Sequence, residues 1–400
     1  MYLELPKKLK GLQQMSSSLA AEMFRPISRK YDKAEHEYPK ELDMIASMLD
    51  GMNDGEQGGV AGATQSSKSK KTDEGVRNGS NMASLVGIQE LCWGDTGLLL
   101  TMPRQGLGNA AIAAVANKEQ LERFKGKWAA MAITEPNTGS DSAAIRTTAK
   151  KDGDYYVLNG EKIYITSGER ADIIVVWATL DPSLGRAAIK SFAVEKGTPG
   201  LTLARLEHKL GIRASDTAAY ILEDCRVHKD NLLGDPEINV EKGFAGVMET
   251  FDNTRPLVAG MAVGVAQASL DRTKELLKEK LKDNYTTPLN NLSAIEAEVC
   301  KMEAEWEAAR LLTLKAAWMA DNATPNSKEA SMSKAKAGRT ANAITLKCVE
   351  LCSSLGYGEQ ELLEKWGRDS KILDIFEGTQ QIQQLIVARR LLNKTSAELK

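Results

Sequence analysis

Tyr155-Tyr156-Val157-Leu158-Asn159-Gly160-Glu161-Lys162-Ile163-Tyr164-Ile165-Thr166 is where the chain leaves its helical period. Tyr155 to Leu158 and Ile163 to Ile165 read as two strands. Asn159-Gly160 between them tolerates positive φ at both central positions of a tight turn, so the segment reads as strand, turn, strand. Asp152-Gly153 gives a similar signal one strand earlier. Ile173 to Ala178, Ser191 to Val194 and Tyr220 to Leu222 continue the pattern downstream. The expectation is a β domain over residues 128–240.

On both sides the pattern is helical. Upstream, residues 83–127 carry Ile112 and Val115 three apart on one face, with Leu121 further on and glycines at 106, 108 and 126 near breaks. Residues 51–82 differ in composition. These 32 residues hold seven Gly and four Ser, with the charged run Lys68-Ser69-Lys70-Lys71 and no apolar period, and read as a flexible insertion. Residues 1–50 look helical, punctuated by Pro26 and Pro39. Downstream of Phe244 the helical pattern runs to the end. Gly260, Gly264 and Ala268 recur every four residues and leave one narrow helix face. A long amphipathic helix over about 292–320 carries Val299, Met302, Trp306 and Leu312. The fold class is therefore α+β: an N-terminal helical domain (1–127), a central β domain (128–240) and a C-terminal helical domain (241–400).

Composition narrows the function. With 52 Lys+Arg against 54 Asp+Glu the net charge is −2, which argues against nucleic acid as a partner. The longest uncharged stretch, Pro256 to Leu270, is too short to span a bilayer and reads as a buried helix. No basic segment followed by an apolar run opens the sequence, so no secretory signal is expected. Five cysteines lack CxxC spacing and there are only three histidines, so no metal site is expected. Reduced thiols in a cytoplasmic compartment are the expectation.

Four segments stand out. Ile133-Thr134-Glu135-Pro136-Asn137-Thr138-Gly139-Ser140-Asp141 is dense in turn formers and hydroxyls, and can offer N–H groups to a polar ligand or be a plain surface loop. Tyr164-Ile165-Thr166-Ser167-Gly168 sets an aromatic beside hydroxyls that could meet a planar ring. In Phe251-Asp252-Asn253-Thr254-Arg255, Thr254 or Asp252 could cap the following helix, and Arg255 could anchor a carbonyl or phosphate. In Ile375-Phe376-Glu377-Gly378-Thr379-Gln380-Gln381-Ile382, Thr379 is a candidate N-cap for a last helix buried along Ile382, Leu385 and Ile386. Glu377 then lies in the preceding turn, where apolar neighbours can raise its pKa and make it a general base, although on these residues alone a plain charge at the helix start is the better reading.

Together, in order and spacing, these segments resemble the acyl-CoA dehydrogenase family. Thr134-Glu135-Pro136 with Gly139-Ser140-Asp141 is similar to its flavin loop. Asn159-Gly160 with Lys162-Ile163-Tyr164-Ile165-Thr166 is similar to its hairpin, with Tyr164 where the family usually has Trp. Ser215-Asp216-Thr217, Asp252, Thr254-Arg255, Arg368-Asp369, Glu377-Gly378-Thr379 and Ile386-Val387-Ala388-Arg389 also match, over roughly residues 85–395. The resemblance implies a helical domain, a β-barrel or sandwich, and a C-terminal four-helix bundle. It implies FAD-dependent α,β-dehydrogenation of an acyl-CoA thioester, with the residue at Glu377 removing the α-proton and the flavin accepting the β-hydride. Ile133, Thr134, Gly139, Ser140, Tyr164, Thr166, Thr379 and Gln381 would contact FAD; Ser140, Asp252, Arg255 and Gly378 would lie at the substrate. Electrons would pass to an electron-transfer flavoprotein.

Two motifs depart from the family. Its members are usually homotetramers in which a neighbour adds Arg-x-x-Phe-Gly and Gln-x-x-Gly-Gly to each FAD site. Counted without gaps, these fall at Lys280-Leu281-Lys282-Asp283-Asn284 and Glu350-Leu351-Cys352-Ser353-Ser354. The Arg, Phe and glycines are missing, and Glu350 adds negative charge where a diphosphate should sit. The expectation is a hetero-oligomer, α2β2 in type, in which a homologous chain supplies the missing half. Competing readings are an acyl-CoA oxidase and a non-catalytic structural subunit.

Overall fold

A computed structural model describes residues 5, 7–53, 79–104, 106–238, 245–281, 291–396 and 398–399. Its order is helices, strands, helices. Helices α1 (Lys7–Leu19) and α2 (Arg25–Lys33) are joined through a π-turn at Ala20–Phe24. Pro26 lacks the N–H that an α-helix needs there, and the wider turn accommodates it at the start of α2. α3 (Glu41–Asn53), α4 (Ser80–Gly94), α5 (Thr96–Leu100), α6 (Leu107–Val115) and α7 (Lys118–Arg123) follow. The 51–82 insertion is thus shorter than expected: Gly51–Asn53 end α3 and Ser80–Met82 begin α4, while residues 54–78 lie outside the described residues. The N–H groups of Gly79, Asn81 and Met82 donate to the Asp321 carboxylate, a cap supplied by a distant helix.

Seven strands form one curled sheet: β1 (Ala129–Ala132), β2 (Thr148–Asp152), β3 (Tyr155–Thr166), β4 (Ile173–Thr179), β5 (Ile189–Glu195), β6 (Leu201–Leu206) and β7 (Thr217–His228). The order is β1-β4-β2-β3-β7-β6, with β5 on β4. β4 is buried at every position and apolar up to its last residue, Thr179, because both of its faces are covered. Asp152-Gly153 does make the β2–β3 hairpin, Asp152 opposite Tyr155 and Gly153 at φ +59°. Asn159-Gly160 does not turn. β3 runs through it, and the pairing with β7 slips by a residue between Leu158 and Gly160. Gly160 is required at this bulge because a Cβ would lie 2.5 Å from Thr147 Oγ1.

α8 (Ala245–Leu276), α9 (Ala294–Asp321), α10 (Ser327–Tyr357), α11 (Leu363–Ser370) and α12 (Gln380–Leu392) complete the chain. Thr254 is the tenth residue of α8, too far inside to cap its start. The Gly260/Gly264 face seats α4: added Cβ atoms would meet Leu85 Cδ1 at 2.4 Å and the Gln89 carbonyl at 2.2 Å. The narrow face therefore serves close helix packing. All five cysteines are free thiols, and Cys348 and Cys352 sit in the helical core. No described helix is long and apolar enough to cross a membrane.

A buried charge cluster ties the three regions together. Lys365 Nζ reaches Asp95 at 2.7 Å and Asp369, all three almost fully buried. Asp369 also accepts from the Ile212 N–H at 2.6 Å, and Ser28 donates to Asp95. Arg368 pairs with Asp32 at 2.7 Å. Arg368-Asp369, singled out by resemblance, is thus the joint between α11, the first helices and the β6–β7 loop.

Candidate active site

The first loop is held by an internal ion pair. Lys162 Nζ, fully buried on β3, reaches Glu135 Oε1 at 2.7 Å and the Ile133 carbonyl at 3.1 Å. Glu135 also accepts from the N–H groups of Arg146 and Thr147 and from the Thr147 hydroxyl. Burial alone would push this carboxyl up; the Lys162 ammonium, the Thr147 hydroxyl and the Arg146 N–H outweigh it and hold it below the usual range. Lys162 is in turn pushed down to about 8 by burial, against the pull of Glu135. With Glu135 fixed, Ile133 and Thr134 stay part-exposed, and Gly139 and Ser140 lie at the surface. Thr134 accepts from the Ile163 N–H at 2.9 Å, which brings this loop beside β3.

Beyond Ile163 the β3 pairing slips again, and Tyr164 adopts φ +57°. Tyr164 is 63% exposed, two residues before part-buried Thr166. An exposed aromatic held at positive φ beside unburied hydroxyls suits stacking on a planar ring. The donor set on this side fits a flavin.

The second cluster is built from α8, α10 and the turn before α12. Glu377 and Gly378 are successive left-handed residues, at φ +56° and +93°. Thr379 N-caps α12, accepting from the Ile382 N–H at 3.4 Å as the sequence suggested. The turn swings the Glu377 carboxylate onto α8, where the Thr254 hydroxyl donates to it at 2.9 Å. Burial is the main influence on Glu377 and raises its pKa; the Thr254 hydroxyl, Arg255 and Lys334 only partly pull it back. Among the described residues the Glu377 N–H makes no hydrogen bond, so it can donate to a ligand oxygen. The arrangement is a carboxylate of raised pKa beside an available N–H donor, which suits removal of a proton next to a carbonyl.

Sequence reasoning missed two residues here. Lys334 of α10, almost fully buried, donates from Nζ to the Gly378 carbonyl at 2.6 Å. Gln383 of α12, fully buried, donates from Nε2 to the carbonyls of Glu377 at 2.9 Å and Gly378 at 3.1 Å. The expected apolar face of α12 is only half-buried at Ile382, Leu385 and Ile386, and Gln383 is its buried member. Gln381 is exposed. Arg255 is buried on α8; Asp252 lies on the same helix with its side chain outside the described residues. Asp216 pairs with Arg170 at 3.2 Å and braces the start of β7.

Of the two departing motifs, Lys280 and Leu281 follow α8 and residues 282–284 lie outside the described residues. Glu350 is exposed on α10 and pairs with Lys347 at 2.6 Å. Ser353 interrupts α10 at φ +54°, ψ −127°. That conformation favours glycine, and here a serine holds it.

Two profiles match, described as the acyl-CoA dehydrogenase middle domain (residues 130–225) and C-terminal domain (residues 241–392). The short-chain specific acyl-CoA dehydrogenase of Bos taurus mitochondria is 36% identical, over 97% of this chain and 91% of its own.

The chain belongs to the acyl-CoA dehydrogenase family.

An acryloyl-CoA reductase (NADH) of Anaerotignum propionicum is 32% identical over 98% of this chain and 96% of its own. Among solved structures, butyryl-CoA dehydrogenase of Megasphaera elsdenii matches with a TM-score of 0.82 and 29% identity, over 98% of this chain and all of that one. Acyl-CoA dehydrogenases are FAD-dependent flavoproteins and oxidoreductases, and this chain shares their fold: helical ends around a central curled sheet.

One further group lies apart. Ligand atoms of Glu35, His36 and His208 fall within 4.8 Å of one another, although too few histidines had argued against any such group. The Glu35 carboxylate is already engaged by the Lys209 N–H and by His208 Nδ1, both at 2.9 Å.

Proposed function

We propose that this chain is the base-carrying subunit of an FAD-dependent acyl-CoA dehydrogenase, with Glu377 removing the α-proton of the thioester. The observation that carries the reading is the Glu377 carboxylate, held by one hydroxyl in a site that raises its pKa. A raised pKa suits a base that works near neutrality. The Glu377 N–H donates to the thioester oxygen and stabilises the charge that develops there. FAD, when bound, supplies the acceptor for the β-hydride. Ile133, Thr134, Gly139, Ser140, Tyr164, Thr166, Thr379 and Gln381 hold it; Ser140, Asp252, Arg255 and Gly378 meet the acyl-CoA. The three-part division at 127/128 and 240/241 goes with this assignment.

The chain works with a homologous subunit. Lys280 and Glu350 stand where the family places the donors that one chain lends its neighbour's FAD, and neither replaces a bidentate Arg or a neutral Gln on a diphosphate. A partner chain that keeps those donors completes the site. The electron acceptor is an electron-transfer flavoprotein. The relatives' names make butyryl-CoA the first substrate to screen.

The test is the visible spectrum and native mass of the chain purified alone and after co-expression with a homologous dehydrogenase subunit from the same genome. Flavin and tetramer only in the mixture support the shared site. A yellow, fully loaded homotetramer from this chain alone refutes it. Flavin reoxidation in air separates a dehydrogenase from an oxidase. Full turnover in E377Q would leave only a structural role for the turn.

A further inference from the structure

We propose that Lys334 is a positioning residue for the base. It locks the Glu377–Gly378 turn through the Gly378 carbonyl and adds to Arg255 of α8 a second positive charge that helps to keep the Glu377 carboxylate ionised when acyl-CoA closes over it. The inference rests on the reading of Glu377 as the base and adds a residue on a different helix.

The argument begins with the turn. A non-glycine residue at φ +56° is strained, and here the strained residue is the one whose carboxylate must be aimed. Such a conformation persists only where its surroundings over-determine it. Three hydrogen bonds do so: Gln383 donates to both carbonyls of the turn, and Lys334 donates to the Gly378 carbonyl at 2.6 Å. The lysine bond is the shortest of the three, carries a charge, and is the one that comes from α10. It ties the turn to α10, which packs extensively against α8, the helix that carries Thr254.

The second strand of the argument is charge. Lys334 is almost fully buried, and a buried ammonium is costly unless anions face it. The groups that face it are Asp374 and Glu377 from the turn and Arg255 from α8. Asp374 is shared: Gln380 Nε2 donates to it at 2.5 Å, and Lys371 lies 3.7 Å away. Glu377 meets Thr254, Arg255 and Lys334. Lys334 therefore helps to offset the Glu377 charge while its hydrogen bond is spent on the neighbouring carbonyl. A direct ion pair would lower the base too far, as Lys162 does to Glu135; a cation one carbonyl away moderates it. Burial pushes Lys334 itself down to about 8.

Three variants test this in the flavin-loaded protein, or in the mixed complex if flavin binds only there. The substrate is whichever acyl-CoA reduces the wild-type flavin fastest in a screen beginning at butyryl-CoA. K334M loses bond and charge. Its kcat should fall about 10- to 100-fold with little change in KM, as displacement of a reacting group does. Without the cation the Glu377 pKa rises, so the acid limb of kcat/KM should move up by about one pH unit. K334Q keeps a donor without charge and should show the same limb shift with a smaller loss of kcat. K334R keeps the charge and should return the limb to its wild-type position. Flavin content and thermal midpoint check that the fold is intact. An unmoved acid limb in K334M and K334Q overturns the proposal, however large the loss of rate. If K334M does not fold, coincident limbs in K334Q and K334R overturn it. E377Q is measured alongside: full turnover there refutes the base reading itself, whereas an inactive E377Q with an unmoved K334Q limb refutes only the role of Lys334.

Discussion

Glu135 and Glu377 are both carboxylates set among protein atoms with a buried lysine close by, and their pKa values move in opposite directions. Glu135 meets Lys162 head-on at 2.7 Å and accepts from two N–H groups and a hydroxyl, so it is held ionised below the usual range. Glu377 accepts from the Thr254 hydroxyl, and its lysine bonds the carbonyl next door, so burial wins and the pKa rises. Burial is the largest influence on both groups. The number and directness of the compensating bonds decides which carboxylate is structural and which is reactive. The Glu135 pair anchors a loop; the Glu377 turn sets a proton acceptor of raised pKa on a strained backbone.

Four changes break or sharpen that contrast. The largest effect is expected from E377Q, which preserves shape and removes basicity. Turnover should fall by about 10³-fold or more while bound flavin is unchanged; steady-state kinetics with an artificial acceptor reads this. Next, K162M leaves the Glu135 carboxylate buried without its cation. Removing one partner of a buried pair costs about 3–5 kcal/mol, so the thermal midpoint should drop sharply and flavin retention with it. Calorimetry checks the first and absorbance the second. Third, T254V removes the Thr254 hydroxyl that donates to Glu377. That bond favours the ionised form, so its loss raises the pKa. Because the ionised form is the active one, the acid limb of kcat/KM should move up by about one unit and activity should recover at higher pH. The smallest effect is at Ser353, whose backbone stands in a glycine-favouring region. S353G should stabilise the protein by about 1 kcal/mol, seen in chemical denaturation, with no change in the chemical step.

The helix–sheet–helix order was legible because hydrophobic periodicity is local. The β reading failed at Asn159-Gly160 for a reason that is not local: a turn signal and a bulge signal share the residue pair, and only the approach of Thr147 requires Gly160 in the strand. The same holds at Thr254. Its hydroxyl suggested a helix cap, but α8 starts nine residues earlier, so the hydroxyl is available to Glu377 from more than a hundred residues away. The turn at Glu377 was legible from Gly378 and the N-cap Thr379, but its neighbours alone left Glu377 a plain helix-start charge, and only the family resemblance singled it out as a base. Lys334 and Gln383 were not, because a lysine in a helix reads as solvated and a glutamine as neutral. A buried glutamine where α12 should show an apolar stripe was the available sign. Glu35, His36 and His208 come together across 173 residues, beyond any spacing rule.

The measurement that bears most directly on Glu377 as the group that takes the α-proton is isotope exchange. The substrate is an acyl-CoA thioether analogue with sulfur in place of the β-carbon, so the hydride step is blocked and only proton removal remains. With the flavin-loaded protein in heavy water, the α-hydrogens should exchange rapidly in wild type and at no more than about a thousandth of that rate in E377Q. Exchange by E377Q at the wild-type rate would contradict the account and place the base elsewhere.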